Sequence, residues 1–353
     1  MRILDRYIAR AVIAGSLTVL LIIVCMELIF SFVDESADLG EQYTAFQAML
    51  QVALTGPQRA YEAFPIATLI GSLMTLGGMA ARHELVVMRA AGMSVLNIGR
   101  AVMMAGLLLA VMAAAIGEWV APAAERAARE AEARTGDGQV SMLSRNGFWA
   151  RDGRSFVRVG AAPDAELLEN VRIYTFGEGQ QLQRVVSAAR AEYRGDGWML
   201  HDVRRNRFTE GRVGTERLDT FFWKGGLRPE VLDVVVIDPE TLSGSALWTY
   251  IGYLQDNELE SERYELALWL KVGTPLATLT MLLLTIPLAF GSLRSTGAGQ
   301  RIFVGVMIGI AFYLSNRLLN HLGLVYGIPP VISALLPTLV CLAAAAYFTA
   351  RIR

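Results

Sequence analysis

Long runs of apolar residues alternate with short polar connections along most of the chain. Six runs are long enough, or nearly so, to cross about 30 Å of hydrocarbon as helices. They occupy residues 11–33, 64–81, 101–120, 272–293, 302–324 and 331–349. Within lipid, such a segment satisfies its backbone hydrogen bonds only as a helix. The pattern therefore predicts six transmembrane helices, with Pro65 in the first turn of the second, where proline costs little.

Between the third and fourth runs the hydrophobic period changes from that of a helix to that of a strand. Alternating runs flank Asp-Gly pairs at 152–153 and 196–197, and this dipeptide is typical of hairpin turns. Further turn residues stand at 177–179 and 210–211, at spacings typical of sandwiches and jelly rolls. We predict an all-β domain inserted between transmembrane helices 3 and 4.

Helical stretches flank this insert on both sides. Residues 121–134 are rich in Ala, Glu and Arg, so the third helix is expected to continue beyond the membrane. Residues 245–271 are expected to form a helix that leads into the fourth span. The predicted division is 1–121 for helices 1–3, 122–265 for the β domain with its helical connections, and 266–353 for helices 4–6.

Composition agrees with a membrane protein. The 353 residues are 54% hydrophobic and 18% charged, with a mean hydropathy of +0.40, which is more apolar than an ordinary soluble domain. The formal net charge is −1, so no basic field suggests a nucleic-acid partner.

The orientation follows from the positive charges of the short connections. One side carries ten arginines: Arg2, Arg6, Arg10, Arg82, Arg89, Arg100, Arg294, Arg301, Arg351 and Arg353. The opposite short connections, 34–58 and 325–330, carry no Lys or Arg. Both termini are predicted to be cytoplasmic, and the β domain is predicted to lie on the other side of the membrane.

Motifs of catalysis fail when they are checked in full. His83 and Glu84 begin like a zinc-protease helix, but Val87 stands where the second histidine is needed. The chain contains no phosphate-binding G-x-x-x-x-G-K-[ST] loop and no G-x-S-x-G. We expect no catalytic residue, metal or cofactor, and any ATP hydrolysis belongs to a partner.

The connection at 82–94, between the second and third spans, is short and amphipathic. Leu85, Val87 and Met88 are able to share one helical face, and Gly92 is placed to end the helix. One interpretation is an interfacial helix lying on lipid. The other is a coupling helix whose apolar residues fill a groove on a cytoplasmic ATPase, with Glu84 pairing to a basic residue there.

Ionisable groups near the spans offer a second candidate site. Arg59, Arg126, Arg129 and Arg134 gather near the outer end of the spans, where guanidinium groups can hold phosphate. Contact with lipid headgroups, or pairing with glutamates one turn away, is the alternative. Arg317 lies deeper in the fifth run, as Glu27 does in the first, which favours a role in helix packing or in a cavity.

These residues resemble a known family, the lipopolysaccharide export permeases of the LptF/LptG type, and its LptG branch more than its LptF branch. The resemblance runs nearly from end to end. It is carried by Leu4-Asp-Arg-Tyr-Ile8, Phe32-Val-Asp34, Glu84-Leu-Val-Val-Met-Arg-Ala-Ala-Gly92, Gly117-Glu-Trp-Val-Ala-Pro122, Gly147-Phe-Trp-Ala-Arg-Asp-Gly153, Leu293-Arg-Ser295 and Val325-Tyr-Gly-Ile-Pro-Pro330.

The resemblance implies six transmembrane helices with a periplasmic β-jellyroll, in one of two permease subunits on a dimer of the ATPase LptB. Its partners would be LptB, LptF, LptC and, by way of the jellyroll, the periplasmic bridge protein LptA. Its task would be to extract lipopolysaccharide from the inner membrane for assembly of the outer membrane. The alternatives are a membrane-embedded lipid-modifying transferase and a membrane-anchored assembly protein.

The resemblance also implies roles for individual residues. Glu84, Met88 and Arg89 match the coupling segment, to which the amphipathic pattern adds Leu85. Arg129 matches an arginine thought to hold a lipid A phosphate. Lipopolysaccharide-binding positions are expected at Phe32, Asp34, Arg126, Arg129, Arg134 and Arg317.

Overall fold

The computed structural model of the chain describes residues 3–36, 44–135, 147–164, 166–177, 181–209, 212–225, 238–290 and 297–351. The chain divides into two compact units. The first comprises Met1–Gly40, Thr44–Ala128 and Glu262–Arg353, and the second is formed mainly by Arg129–Ser261.

The helices account for the six predicted spans. They are α1 Ile3–Glu35, α2 Ala45–Ala81, α3 Glu84–Ala90, α4 Val95–Ala115, α5 Ala121–Thr135, α6 Gly244–Asp256, α7 Glu262–Phe290, α8 Ala298–Tyr326 and α9 Pro330–Ala350. A π-helical turn, Ile116–Val120, joins α4 to α5, so the third span continues past residue 120 as predicted. In the described part of the chain, six helices are long and apolar enough to cross a membrane. The predicted six spans are confirmed.

Helix α2 begins about twenty residues before the predicted start of the second span. Thr44 and Gln47 form a capping box, in which Gln47 Oε1 accepts from the Thr44 N–H at 2.7 Å and Thr44 Oγ1 accepts from the Gln47 N–H at 3.4 Å. This pair satisfies N–H groups at the exposed helix end. The prediction that Pro65 lies in the first turn is therefore wrong, since Pro57 and Pro65 both lie inside the helix.

The spans differ strongly in how far the rest of the chain covers them. Helix α2 packs against α1, α7 and α8, and α7 also contacts α4 and α9. In their most apolar stretches 78% of the α2 residues and 61% of the α7 residues are buried, against 11% for α1 and 17% for α8. Helices α2 and α7 form the centre of the first unit, and α1 and α8 leave most of their surface to lipid or to another chain.

The second unit contains an antiparallel sheet. Its strands are β1 Phe148–Asp152, β2 Ser155–Val159, β3 Ala161–Asp164, β4 Leu167–Phe176, β5 Leu182–Tyr193, β6 Trp198–Thr209 and β7 Arg212–Trp223. Neighbours follow the order β1-β2-β4-β5-β6-β7, and β3 also pairs with β4. The predicted insertion of an all-β domain between the third and fourth spans is confirmed, and the described strands form one sheet.

Two of the predicted hairpin turns lie where expected. Strands β1 and β2 join through Gly153, whose φ is +55°. Strands β5 and β6 join through residues 194–197, where the left-handed residue is Gly195, with φ +78°, and not Gly197 of the predicted pair. Glycine adopts this left-handed backbone without steric cost. The predicted turn residues 178–179 and 210–211 lie outside the described residues.

The helix expected at 245–271 is broken in two, which corrects the prediction. Helix α6 ends at Asp256, and Glu258 adopts a φ of +53°. The Leu259 N–H then donates back to the Leu254 carbonyl at 2.9 Å, which closes the helix end. The fourth span therefore starts from a separate helix, α7.

Candidate functional site

Helix α3 is a seven-residue helix between α2 and α4, and left-handed backbone bounds it at both ends. His83 precedes it with a φ of +62°, and Gly92 follows it with a φ of +90°. The Gly92 N–H donates to the Arg89 carbonyl and the Met93 N–H to the Met88 carbonyl, both at 3.0 Å. This is the Schellman arrangement. The prediction that Gly92 ends the helix is confirmed.

Leu85 and Met88 are buried in the core of the first unit, at 3% and 7% exposed. We call the set around them the α3 cluster. It contains Ile8, Ala9 and Val12 of α1, Leu76, Met79 and Ala80 of α2, Met93, Ile98, Ala101, Val102 and Ala105 at and in α4, and Leu282, Ile286 and Ala289 of α7. The two side chains of α3 therefore touch a core to which four transmembrane helices contribute.

The expectation that Val87 shares a face with Leu85 and Met88 is wrong. Val87 is 65% exposed and Val86 is 38% exposed. In a helix, residue 87 lies about 200° around the axis from residue 85, so burial of Leu85 turns Val87 outward. The exposed surface of α3 is formed by Val86, Val87, Arg89 and Ala90, and Leu85 and Met88 anchor the helix from inside.

Glu84 is held by two groups of its own chain. Its Oε1 accepts from Arg82 Nε at 2.6 Å, and its Oε2 accepts from the Tyr7 hydroxyl of α1 at 3.0 Å. The hydrogen bond from Arg82 is the main cause that lowers the pKa of the Glu84 carboxyl. The carboxylate therefore stays charged at neutral pH and ties the start of α3 to the start of α1.

A cavity of about 360 Å³ opens beside α3. It is lined by Ala80, Leu85, Val86, Arg89, Ala90, Ala289 and Phe290. Its walls thus come from the ends of α2 and α7 and from α3 itself. The lining is apolar apart from Arg89, so the cavity fits an apolar side chain or a lipid chain with an anionic group beside it.

The predicted lipopolysaccharide-binding residues are spread over three helices. Phe32 is half-buried and Asp34 is exposed near the end of α1, and Arg126 is exposed and Arg129 half-buried, one turn apart on α5. The Arg317 guanidinium on α8 donates to the Tyr313 hydroxyl at 2.7 Å. The side chain of Arg134 lies outside the described residues.

Sequence reasoning missed one polar contact inside the bundle. Lys271 Nζ of α7 donates to the Gly117 carbonyl at 2.8 Å and lies 5.3 Å from the centre of the Tyr61 ring. Gly117 lies in the π-helical turn, where i→i+5 bonding replaces the usual helical pattern, and the ammonium group brings its carbonyl a donor from α7. The signal in the sequence is a lysine at the edge of a span. In the structure, the carbonyl of the preceding residue, Leu270, accepts a hydrogen bond from the Tyr61 hydroxyl at 3.2 Å.

Within the described ranges, no group of three or more His, Cys, Asp or Glu side chains is arranged to hold a metal ion. The arrangement is instead one of packed helices, with a short helix at one end and an antiparallel sheet in the second unit. This geometry can transmit movement and bind amphiphiles, and it presents no cluster of acid, base and nucleophile among the residues just described.

The family model and the individual relatives that match this chain all name the same family. The family model described as "Lipopolysaccharide export system permease LptF/LptG" matches residues 6–351. A lipopolysaccharide export system permease protein LptG of Haemophilus influenzae is 36% identical over 339 residues, covering 95% of this chain and 95% of its own. The LptG protein of Escherichia coli strain K12 is 36% identical over 341 residues, covering 95% and 94%.

Both measures extend over nearly the whole chain, through the spans and the inserted sheet together. The resemblance is therefore not confined to the seven short motifs but extends over nearly the whole sequence. The chain belongs to the LptF/LptG family of lipopolysaccharide export permeases, on its LptG branch, and is a multi-pass protein of the inner membrane.

Proposed function

We propose that this chain is the membrane-spanning subunit of an ABC transporter that extracts lipopolysaccharide from the inner membrane and passes it to a periplasmic bridge. ATP hydrolysis in a partner subunit drives the extraction. The observation that carries the proposal is the α3 cluster, in which Leu85 and Met88 are buried in one core with side chains of α1, α2, α4 and α7. Since the chain has no phosphate-binding loop, the energy arrives from outside, and α3 is where one displacement reaches four helices.

The ATPase partner is a dimer of LptB, which docks on the outward surface of α3. Val86, Val87 and Arg89 are the exposed residues that meet it, and the neighbouring cavity accepts an apolar side chain from it. Leu85 and Met88 pass the movement inward because interiors are close-packed and transmit strain. Glu84 holds the start of α3 against the start of α1 by accepting the hydrogen bond from the Tyr7 hydroxyl.

LptF is the second permease subunit, and LptC and the bridge protein LptA receive the lipid on the far side. Helices α1 and α8 support this assembly, because their apolar surfaces are left largely uncovered within the chain. A wide amphiphile needs a lateral opening between helices. Uncovered helices at the edge of the bundle suit both a subunit contact and such an opening.

Lipopolysaccharide carries phosphates, and arginine binds phosphate through paired hydrogen bonds. Arg126, Arg129 and Arg134 on α5 and Arg317 on α8 are proposed to hold them, with Phe32 and Asp34 at the end of α1 lining the same path. Both termini are proposed to be cytoplasmic and the β domain periplasmic, since all ten arginines of the short connections lie on one side. We also propose that the β domain with its helical connections begins after residue 121 and ends near residue 265.

The test is co-expression of this chain with LptB and LptF of the same organism, followed by lipopolysaccharide-dependent ATPase assays. We expect a stable complex whose ATP hydrolysis responds to lipopolysaccharide. The Glu84→Gln variant should assemble but lose much of that response, because the brace to Arg82 and Tyr7 needs a carboxylate. Glu240→Gln, an exposed glutamate in the second unit, is the matched control. Failure of the wild-type chain to assemble with these partners would refute the proposal.

A further inference from the structure

Four arginines lie in one row across the sheet of the second unit. The strand registers align Arg158 of β2 with Arg172 of β4, then Ser187 of β5, Arg204 of β6 and Arg217 of β7. Directly opposed residues of antiparallel strands point to the same face. We call Arg158, Arg172, Arg204 and Arg217 the arginine row.

The arginine row lies on the exposed face of the sheet. Its four side chains are exposed, and the strand neighbours Val157, Ile173 and Val203 are buried on the opposite face. Since strands lie about 4.8 Å apart, Arg158 adjoins Arg172 and Arg204 adjoins Arg217. Across its five strands the row measures about 19 Å.

This arrangement costs stability when nothing is bound to it. Like charges directly opposite one another on neighbouring strands destabilise a sheet. Within the described residues, none of the four guanidinium groups has an ion pair or a hydrogen bond, whereas Arg205 on the opposite face pairs with Glu216. Asp219 stands two residues after Arg217 and so points to the same face. One carboxylate beside four guanidinium groups leaves the row with a net positive charge. Four solvated guanidinium groups are thus available to an anionic ligand.

Aromatic side chains extend the row at its β1 end. Trp149 is directly opposite Arg158 and is 59% exposed. Its ring lies 5.6 Å from that of Tyr174, and Phe156, opposite Tyr174, is 41% exposed. Exposed aromatic rings with polar surroundings suit ligands that have both apolar and polar faces, as sugar rings do.

We propose that the arginine row and Trp149 bind a phosphorylated or acidic saccharide laid across the sheet. The guanidinium groups take its phosphates and carboxylates, and the aromatic end packs against a sugar ring. The proposal rests on the function proposed above, since the saccharide is then the hydrophilic part of the exported lipopolysaccharide. The site is on the exposed face of the sheet, opposite the face that buries Val157, Ile173 and Val203.

The test uses the full chain in its complex with LptB and LptF, and the probe is completely deacylated lipopolysaccharide, measured by isothermal titration calorimetry. The variant Arg204→Gln/Arg217→Gln should bind at least about tenfold more weakly, since each lost charge-assisted hydrogen bond is worth about tenfold. Binding of the wild type should weaken as salt is raised.

The matched control is Arg207→Gln/Arg212→Gln. These arginines are exposed, lie on the same two strands and carry the same charge, but point to the opposite face. They should leave binding unchanged. Arg204→Lys/Arg217→Lys preserves the charge and should retain part of the affinity, which separates loss of the site from loss of the fold. Trp149→Ala should also weaken binding.

Equal losses in the row variant and in the opposite-face control would overturn the proposal, because general charge would then account for binding. Equally tight binding of inorganic phosphate would overturn the saccharide assignment. A wild-type complex that releases lipopolysaccharide with ATP but does not bind the probe would overturn this inference and leave the proposed function standing. A complex that binds the probe but releases no lipopolysaccharide when it hydrolyses ATP would refute the proposed function and leave this inference standing.

Discussion

Helices α1 and α2 are neighbours of opposite character. Helix α1 is the more apolar of the two, yet only 11% of its most apolar stretch is buried within the chain, against 78% for α2. Helix α2 carries Gly71, Ser72 and Thr75 in the stretch where it packs closely against α1. In a soluble protein the more apolar helix would be the one inside.

The difference teaches what drives packing in a bilayer. Lipid tails are as apolar as leucine, so helices associate through close van der Waals contact and small residues. At the α1–α2 crossing a Cβ added to Gly71 would lie 2.5 Å from the Gly15 carbonyl oxygen and 2.5 Å from Ser16 Cα. Hydropathy therefore locates the spans, and the small and polar residues decide which span lies at the centre.

The largest effect is expected from a bulky side chain placed where α1 and α2 cross. Gly71→Leu should destabilise the first unit by about 3 kcal/mol or more, because the new side chain meets backbone that cannot move aside cheaply. Thermal unfolding of the purified protein in detergent measures it. Gly78→Leu on the same helix is the control, since a Cβ there meets only Arg82 Nη1, at 3.8 Å. Equal losses in both variants would contradict the close crossing.

A second prediction compares buried and uncovered leucines. Leu69 of α2 is fully buried and Leu21 of α1 is 64% exposed. Leu69→Ala should cost at least about 2 kcal/mol through the cavity that it leaves. Leu21→Ala should cost much less in the isolated chain, because lipid or detergent fills the space. The same unfolding assay checks both, and comparable losses would show that α1 is covered as fully as α2.

A third prediction concerns the junction of α2 with the π-helical turn. In Gly117→Ala the added Cβ would lie 2.5 Å from Tyr61 Cε2, so the variant should be destabilised by about 1 to 3 kcal/mol. Tyr61→Leu should relieve most of that loss when the two changes are combined. A double-mutant cycle on the unfolding midpoint measures the coupling. Additive effects would mean that the two residues do not press on each other.

The smallest effect concerns the tether at the start of α1. The lowered pKa of Glu84 means that its hydrogen bonds stabilise the fold above the carboxyl's ordinary pKa of 4.5 and cease to do so as pH falls through the lowered value. The unfolding midpoint of the wild type should therefore drop below about pH 4.5 relative to Glu84→Gln. Tyr7→Phe should show a reduced drop. Parallel curves for wild type and Glu84→Gln would refute the tether.

Much of the fold could be predicted because it follows from local patterns. Apolar runs located all six spans, and Asp-Gly pairs located two hairpins of the sheet. The early start of α2 was missed because residues 45–63 include polar side chains, although the Thr44-x-x-Gln47 capping box was visible in the sequence. The break between α6 and α7 depends on the left-handed backbone of Glu258, which the hydrophobic periodicity of the sequence does not predict.

The candidate site was only partly predictable. Gly92 marks the end of α3 by its chemistry alone. The direction of Leu85, Val87 and Met88 could not be read from a seven-residue helix, since fewer than two turns do not define a face and the α3 cluster decides it. The sequence shows Lys271 only as a lysine at the edge of a span. Its contact with Gly117 depends on a π-helical turn and on a helix far away in sequence, so no local pattern identifies that partner.

The most direct measurement of the central claim is the amount of lipopolysaccharide released per ATP hydrolysed by the reconstituted complex, compared between wild type and Leu85→Ala/Met88→Ala. Met104→Ala, a 42% exposed methionine of α4, is the control. If α3 transmits the movement, the double variant should assemble and hydrolyse ATP, and its release per ATP should fall by about tenfold or more. Release per ATP equal to that of wild type, in a complex that still assembles, would contradict the claim.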